Sequence, residues 1–392
     1  MRVTPLAAAS REAVRAALRA GGFDDWKADA AAQGTEPAAL LLSGLDAAVR
    51  EALVAYAGGK LGLDILTTAD GALISGSRAR LQALARPWVG PPELAEVAFQ
   101  VGLALPVELP AAWTIATGTI DLDRPVVVGI LNITPDSFSD GGTLPTVDAA
   151  MARAAELLEG GAAALDVGGE STRPGRREPV PAEEEIARVV PVVAGLRRRW
   201  PEVPVLVDTV KAPTARAALE AGAAAINDVS ALRLDPGMAG AVAAAGAGIV
   251  LMHSRGDLAA LASYVHADYG GDVVGGVLDE LRQAIERAQV AGIPSERIVV
   301  DPGLGFSKTI PQNILLADQL SALHALGRPI LVGPSRKRFL GAIAGREVGD
   351  RDRATAGFCA MMYARGARLF RVHDAAAVRD ALAVAHAIGA AS

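Results

Sequence analysis

The sequence predicts an α/β fold: a (β/α)₈ TIM barrel at residues 118–392, preceded by a smaller N-terminal α/β domain. Eight short apolar runs recur from residue 125 onward, and each is followed by a longer amphipathic stretch. The runs are apolar throughout, which is typical of parallel strands covered by helices on their outer face. Eight β/α units make a TIM barrel, whereas an open doubly wound sheet has about five or six strands.

The strands and helices of the barrel can be placed one by one. The eight predicted strands are 125–133, 163–169, 203–209, 224–230, 248–254, 297–303, 329–336 and 368–374. In the first helical stretch, TVDAAMARAAELLEGG, Thr146 is expected as the N-cap and Gly160 as the C-terminal stop. The second helix opens with Glu183, Glu184 and Glu185, where the helix dipole favours acidic side chains.

Residues 1–115 follow a different pattern. We expect two short strands at 63–68 and 71–75, and helices at 9–20, 37–57, 77–86 and 92–104. This part contains no metal-ligand spacing, no glycine-rich phosphate loop and no repeat. It is therefore predicted to be a small α/β domain of unassigned role, with its boundary near residues 105 to 118.

Composition excludes several classes of function. Half of the chain is hydrophobic (51%) but only 4% is aromatic, which indicates a large aliphatic core, and the net charge of −6 argues against a nucleic-acid binder. The single cysteine, Cys359, lies in a helical run and is expected to be a buried packing residue, as suits a reducing compartment. No apolar run reaches the roughly 20 residues of a membrane span. We therefore expect a cytoplasmic protein that binds neither nucleic acid nor membrane.

Polar side chains occur near the C-terminal end of every predicted strand. They are Asn132, Asp166, Asp208, Asn227, Asp228, His253, Asp301, Ser335, Lys337, Arg371 and His373. All these ends meet on the face of a barrel where active sites lie. For one residue alone, such as Asp228, an ordinary turn-forming role is an equally good interpretation. The whole set in register favours a site.

The types of these residues suggest a ligand. Asp208, Asn227 and Asp301 offer acceptors suited to a flat heterocycle with N–H donors along its edge. Arg371 and His373 follow strand eight, where barrels commonly bind phosphate, and an arginine can bind a phosphate bidentately. The polar loops at 134–145 and 170–182 are rich in Gly, Ser and Pro, as lids that exclude water tend to be.

One segment resembles a phosphate-binding motif but does not match it. GLGFSKT (303–309) resembles a phosphate loop, but Ser307 stands where the Walker motif requires glycine before the lysine. His253 lies at a strand end inside the mouth of the predicted barrel, but a packing role is favoured for it over ligand contact. The remaining three histidines outside the set, His266, His324 and His386, are expected at the surface or in packing positions.

The motifs resemble those of the dihydropteroate synthase family. Two long segments carry the resemblance first, GILNITPDSFSDGG (129–142) and LDVGGESTRPG (165–175). Six shorter ones follow in order: VDT (207–209), IND (226–228), LMH (251–253), DPGLGFSK (301–308), SRK (335–337) and RVHD (371–374). The resemblance covers the whole predicted barrel.

The resemblance implies a transferase of folate biosynthesis. The enzyme would condense 6-hydroxymethyl-7,8-dihydropterin pyrophosphate with p-aminobenzoate, with Mg²⁺, to give 7,8-dihydropteroate and pyrophosphate. It would be a homodimer, packed through the last helices, and a sulfonamide target. Pyrophosphate leaves from a methylene conjugated to an electron-rich ring, so positive charge develops on the pterin. Carboxylates would stabilise that charge while cations stabilise the departing anion.

The resemblance also assigns roles to residues of this sequence. The catalytic groups would be Asp208, Asp301 and Lys337. The pterin would contact these three together with Asn227, Met252 and Phe306. The pyrophosphate would be bound by Asn132, Arg371 and His373, and Asn132 would also be a ligand of Mg²⁺. The p-aminobenzoate site would be built by Phe138, Thr172, Arg173 and Pro174, with loop support from Asp140 and Asp166.

Two departures and two alternatives accompany this interpretation. Short bacterial members of the family begin just before strand one, so residues 1–115 exceed them, and Arg338 replaces the small residue that commonly follows Lys337. A related barrel family transfers methyl groups from methyltetrahydrofolate to a corrinoid protein, but it has no use for Arg371, His373 or the STRPG loop. A non-catalytic pterin-binding protein is the other alternative, and it depends only on the unexplained N-terminal domain.

Overall fold

The computed structural model describes residues 2–5, 39–76, 78–85, 90–104, 110–133, 147–170 and 179–389. The chain divides into two compact units, Met1–Glu108 and Leu109–Ser392. In the described part, no helix is long and apolar enough to cross a membrane.

The first unit contains an antiparallel sheet with strand order β1-β2-β4-β3. Its strands are β1 Arg2–Pro5, β2 Ala39–Ser43, β3 Asp64–Thr67 and β4 Gly71–Ser75. Its helices are α1 Ala47–Leu53, which continues as a π-helical turn Val54–Gly58, α2 Arg78–Leu84, a 3₁₀ turn Pro92–Leu94 and α3 Ala95–Ala104. Buried aliphatic side chains of the sheet and helices, among them Leu42, Leu53, Ile74 and Leu81, form one core.

The predicted helix at 37–57 is wrong over its first part, because Ala39–Ser43 is a strand. Leu40 and Leu42 are buried on one face of β2 while Leu41 between them is half-buried, which is the alternation of a strand and not of a helix. The helix begins only after Gly44, with Asp46 as the N-cap accepting from the Val49 N–H at 2.8 Å. The other strands and helices predicted here are confirmed, and the helix at 9–20 lies outside the described residues.

The second unit is the predicted (β/α)₈ barrel. Its strands are β7 Val126–Asn132, β8 Ala164–Gly168, β9 Val205–Asp208, β10 Ala225–Asp228, β11 Gly248–Met252, β12 Ile298–Asp301, β13 Leu331–Val332 and β14 Leu369–Val372. Each observed strand lies inside its predicted range. The strands pair in parallel in the order β12-β11-β10-β9-β8-β7-β14-β13. A parallel bridge between Val300 and Ile330, with the Val300 N–H donating to Pro329 O at 3.0 Å, joins the two edges and closes the barrel.

Helices cover the outside of the barrel. They are α4 Val147–Glu159, α5 Ala182–Arg199, α6 Ala212–Glu220, α7 Met238–Ala244, α8 Val273–Val290, α9 Ile310–Asp318, α10 Arg338–Ala344, α11 Asp352–Ala364 and α12 Ala375–Gly389. The expected N-cap Thr146 lies outside the described residues. Cys359 is fully buried in α11, as predicted.

A short hairpin that we did not predict closes the N-terminal end of the barrel. It consists of β5 Ala112–Ile115 and β6 Gly118–Asp121. Trp113 is fully buried there, and its Nε1–H donates to Arg297 O at 2.9 Å. A Cβ on Gly248, the first residue of β11, would lie only 2.9 Å from both Trp113 and Ile115, so the glycine admits the hairpin. The barrel is thus plugged at its N-terminal end. The opposite end, where the C-terminal ends of the strands meet, is called the open end below.

Candidate active site

An arginine at the centre of the open end joins two carboxylates from other strands. Arg371 of β14 donates through Nε to Asp166 Oδ2 of β8, and through Nη2 to Asp208 Oδ2 of β9 at 2.7 Å. Asn227 of β10 donates to the same Asp166 oxygen at 3.1 Å. Asp166 is completely buried, so its part is to hold Arg371 and Asn227 in place.

Burial and these ion pairs set the charge of the arginine. Burial by itself disfavours the guanidinium cation, but Asp166 and Asp208 outweigh it and raise the pKa of Arg371 above its ordinary value. Arg371 therefore presents a permanent positive charge at the end of the barrel. It is already oriented by two carboxylates before any ligand binds.

Three ionisable groups near Arg371 have shifted pKa values: Asp208, Asp301 and Lys337. Burial raises the pKa of Asp208 to about 7, although Arg371 opposes the shift. Burial also raises the pKa of Asp301, even though the Gly303 N–H donates to its Oδ1 at 2.7 Å. Burial lowers the pKa of Lys337 to about 7, with Asp301 opposing the shift. Such shifted, charge-coupled groups in a barrel mouth are typical of a catalytic site.

One part of the open end is apolar. Met252 and Phe306 are buried in a cluster with Val210, Val229 and Leu261. The ammonium group of Lys337 lies 3.5 Å from the centroid of the Phe306 ring. A flat aromatic ligand would therefore meet apolar side chains next to hydrogen-bonding groups, as small-molecule sites require.

Asn132 is the last residue of β7, and His373 directly follows β14, the strand that pairs with β7. The Oγ of Ser335 is 2.9 Å from His373 Nδ1 and accepts from the His373 N–H at 3.1 Å, which fixes the ring. A Cβ on Gly168 would lie 3.2 Å from Asn132 Oδ1 and 3.7 Å from the Cβ of Asp208. Glycine at this position thus keeps the space between the amide and the carboxylate open.

The structure brings ten of the predicted site residues to the open end: Asn132, Asp166, Asp208, Asn227, Met252, Asp301, Phe306, Lys337, Arg371 and His373. Phe138, Asp140, Thr172, Arg173 and Pro174 lie outside the described residues. Within the described ranges, no three histidine, cysteine or acidic side chains are grouped as metal ligands.

Asp228 has the ordinary turn role. Its Oδ1 accepts from the Ser230 N–H at 2.8 Å and hydroxyl at 2.7 Å, and its Oδ2 accepts from the Leu232 N–H at 2.8 Å. These bonds stabilise a turn in which Ala231 and Leu232 have left-handed φ values of 51° and 65°. The carboxylate is occupied within its own loop.

His253 also has a structural environment. Its Nδ1 lies 2.9 Å from Lys308 Nζ and its Nε2 lies 3.1 Å from Glu280 Oε2. Burial lowers the pKa of His253 to about 3, and the nearby Lys308 acts in the same direction. The ring is therefore neutral and packs behind the site.

The sequence interpretation missed a buried cluster around Lys211. The lysine Nζ lies 2.6 Å from Glu170 Oε2 and 2.7 Å from Glu185 Oε2, and the Thr214 hydroxyl also donates to Glu185, at 3.2 Å. The other oxygen of Glu170 accepts from the Val180 N–H at 2.6 Å. Glu185 had been assigned to the helix dipole, but it is buried against the lysine. The sequence signal that could have indicated this cluster is the position of Lys211, three residues after Asp208.

The chain is similar to proteins of known function. Residues 128–373 match a family model described as pterin binding enzyme. The dihydropteroate synthase of Synechocystis sp. is 41% identical over 266 residues, which cover 68% of this chain and 90% of that protein. That of Bacillus subtilis is 38% identical over 252 residues, covering 64% of this chain and 84% of the other.

Solved structures agree with the sequence matches. A structure of Xanthomonas albilineans dihydropteroate synthase with 4-aminobenzoic acid has a TM-score of 0.66 and 46% identity, covering 71% of this chain and 98% of that one. A structure of the same enzyme in complex with 7,8-dihydropteroate has a TM-score of 0.64 and 44% identity, covering 71% of this chain and 99% of that one.

The Lys211 cluster gives a stability prediction. Lys211→Met leaves Glu170 and Glu185 together without a cation, so we expect the free energy of unfolding to fall by about 3–5 kcal/mol. Urea unfolding followed by circular dichroism measures the change. Lys211→Arg keeps the charge and should lose much less. A loss below about 1 kcal/mol in Lys211→Met would contradict the assignment of a buried ion cluster.

Proposed function

The chain belongs to the pterin-binding enzymes and, among them, to the dihydropteroate synthases, and from this we propose how its own residues carry out the reaction. It is a transferase that joins 6-hydroxymethyl-7,8-dihydropterin pyrophosphate to p-aminobenzoate, with release of pyrophosphate. The observation that carries the residue assignment is the bridge from Arg371 to Asp166 and Asp208. The bridge supports the assignment, because Arg371, the proposed cation for the leaving anion, is bonded to Asp208, the proposed carboxylate for the developing pterin cation.

The pterin is bound by Asp208, Asn227, Asp301 and Lys337. The two carboxylates and the amide oxygen accept from the ring N–H and amino groups, and the lysine donates to the ring. Asn227 is fixed for this because its Nδ2 already donates to Asp166. Met252 and Phe306 pack against the pterin ring, since both belong to the apolar cluster at the open end.

The reaction proceeds by departure of the pyrophosphate before attack by the amine. The bond between the pterin methylene carbon and the pyrophosphate oxygen breaks, and its electron pair leaves with the anion. Asp208 and Asp301 stabilise the positive charge on the pterin, while Arg371 and His373 stabilise the anion. The amine nitrogen of p-aminobenzoate then forms the new C–N bond and releases its proton to water. No strong base is needed, because the pterin cation is a strong electrophile.

Mg²⁺ would accompany the pyrophosphate, and Asn132 would offer it one protein ligand. The amide oxygen fits this role, because Gly168 keeps the adjacent space open. Magnesium sites often use few protein ligands, so such a site would not require a cluster of three acidic side chains. When bound, the ion would supply further neutralisation of the leaving anion.

The p-aminobenzoate site is formed by Phe138, Thr172, Arg173 and Pro174, supported by Asp140. The described residues that flank 171–178 support this proposal. Glu170 and Val180 are bonded to each other at 2.6 Å, and Lys211 holds Glu170 from below. The two residues that border the segment 171–178 are therefore bonded to each other, and Glu170 is tied to Lys211, three residues after Asp208.

We further propose a homodimer through α11 and α12. These helices pack on one another and expose Met361 (55%) and Val384 (62%), apolar side chains of the kind that a partner subunit covers. The corrinoid-dependent methyltransferase is not favoured, because it has no use for Arg371 and His373, and the relatives described above are synthases.

The reaction itself is the first test. With dihydropterin pyrophosphate and labelled p-aminobenzoate, the wild type should form labelled pteroate, and removal of Mg²⁺ by a chelator should abolish it. Asp208→Asn should reduce turnover by about 100-fold or more, because it removes a charge that stabilises the transition state. Pterin binding without any pteroate would instead mean a non-catalytic pterin-binding protein.

The pH dependence follows from Asp208. Its pKa is about 7, and only the ionised carboxylate serves, so kcat/KM for the pterin substrate should fall as the pH drops below about 7. In Asp208→Asn this acid limb should disappear from the neutral range, while the exposed-residue control Glu220→Gln should keep it. An unchanged limb in Asp208→Asn would assign the titration to another group.

The dimer can be tested by light scattering after gel filtration. The wild type should have twice the chain mass of 40.1 kDa, and Val384→Asp should shift it to the monomer. Val290→Asp is the matched control, because Val290 is a 90% exposed apolar residue on α8. A wild-type monomer, or a dimer that both variants leave intact, would rule out this interface.

A further inference from the structure

The fully buried lysine Lys308 lies beneath the proposed pterin site and has no role in the reaction as derived above. Its ammonium group contacts three acceptors: His253 Nδ1 at 2.9 Å, Gly303 O at 3.1 Å and Phe306 O at 3.1 Å. All three of these hydrogen-bonding partners are neutral, because the His253 ring is uncharged, and the carboxylates of Asp301 and Glu280 act on the ammonium group only through their charge. Burying a cation among neutral partners is costly, so an ordinary core position would have an apolar side chain.

Two of the three partners of Lys308, Gly303 and Phe306, belong to one strained turn. Gly303, Gly305 and Ser307 all have left-handed φ values, of 67°, 83° and 47°. A Cβ on Gly303 would lie 1.8 Å from His253 O, so only glycine fits there. A turn with three such residues persists only when its surroundings impose it. Lys308 contributes directly, because it ties the carbonyl oxygens of Gly303 and Phe306 to a single atom.

This turn places two groups of the proposed pterin site. The Gly303 N–H donates to Asp301 Oδ1 at 2.7 Å, which orients the carboxylate. Phe306 presents its ring to the Lys337 ammonium, and the Lys337 side chain passes over Gly305, where a Cβ would lie 2.6 Å from its Cδ. Any shift of the turn would therefore move Asp301, Phe306 and Lys337 together.

Further residues hold Lys308 and its turn from the side opposite the proposed pterin site. With Nδ1 of His253 accepting from the lysine, the proton of the neutral ring is on Nε2, 3.1 Å from Glu280 Oε2. Glu280 in turn pairs with Arg255 at 2.5 Å. From the other side, Asn313 of α9 accepts from the Gly305 N–H at 2.6 Å and donates to Lys308 O at 3.0 Å. The turn is thus held from β11, α8 and α9.

We propose that Lys308 is a positioning residue for the pterin substrate, acting through the turn 303–307 on Asp301, Phe306 and Lys337. The inference rests on the proposed assignment of these three residues to the pterin. It makes a selective claim, because the hydrogen bonds of the Lys308 ammonium group go to His253, Gly303 and Phe306 and not to the residues assigned to the pyrophosphate. Burial lowers the pKa of Lys308 to about 7, because the charged form loses its hydration in the interior.

Lys308→Met tests the proposal, since methionine has similar length and no donors. We expect the dissociation constant and the KM of dihydropterin pyrophosphate to rise by at least about tenfold. The KM of p-aminobenzoate at saturating pterin, and inhibition by free pyrophosphate, should change by less than about twofold. A folded variant with unchanged pterin affinity, or with equal losses for all three ligands, would overturn the proposal.

Asn313→Ala is the second variant, for the case that Lys308→Met does not fold. It loosens the same turn from the side of α9, so the same selective loss of pterin affinity is expected with a smaller magnitude, and its absence would also overturn the proposal. The exposed Lys60→Met serves as the control for exchange of a lysine. Pterin binding is titrated directly, so a wild type that binds pterin without turnover would refute the proposed reaction and still test Lys308.

Discussion

The open end of the barrel depends on the compensation of buried charge. Three carboxylates, Asp166, Asp208 and Asp301, lie among three cations, Arg371, Lys337 and Lys308, within a few strands of each other. None of these groups would be tolerated there alone, because an unpaired buried charge costs several kcal/mol. Removing one member therefore changes the environment of the others. The protonation and position of each charged group in the site therefore depend on the others.

The same compensation prepares the site for its chemistry. The Asp166 carboxylate accepts hydrogen bonds from Arg371 and Asn227, so both are oriented before the substrate binds. Asp208 and Lys337, each with a pKa of about 7, are held near the point where a neighbouring charge decides their protonation. A site of this kind reorganises little when charge develops on a ligand, which is the main source of electrostatic catalysis.

Stability and function occupy opposite ends of the barrel. The hairpin around Trp113 packs against the beginnings of the strands, where it buries aliphatic side chains. The other end contains the buried ion pairs, the left-handed turns and the clusters around Lys211 and Lys308. This division is general for TIM barrels, because loops at the C-terminal ends of strands can vary without disturbing the barrel itself.

Local pattern in the sequence determined the barrel and the location of its site. The eight apolar runs, the glycines that end helices and the polar residues at strand ends are signals of short range, and the observed strands lie within the predicted ranges. The motifs also identified the family, since GILNITPDSFSDGG and LDVGGESTRPG are long and specific. The strand Ala39–Ser43 was assigned to a helix because its pairing partners are distant in sequence.

Only the tertiary structure decided which polar residues belong to the site and which support it. Asp228 and Asp166 look alike at strand ends, yet one is occupied within its own turn and the other holds Arg371, 205 residues away. Lys211 and Lys308 carry no sign in the sequence of the partners that the fold gives them, Glu170 and Glu185 for Lys211 and His253 for Lys308. The physical reason is one of range along the chain. The spacing of hydrophobic residues, which predicts helices and strands, depends only on residues close in sequence. The pairing of buried charges depends on which strands and helices the fold brings together.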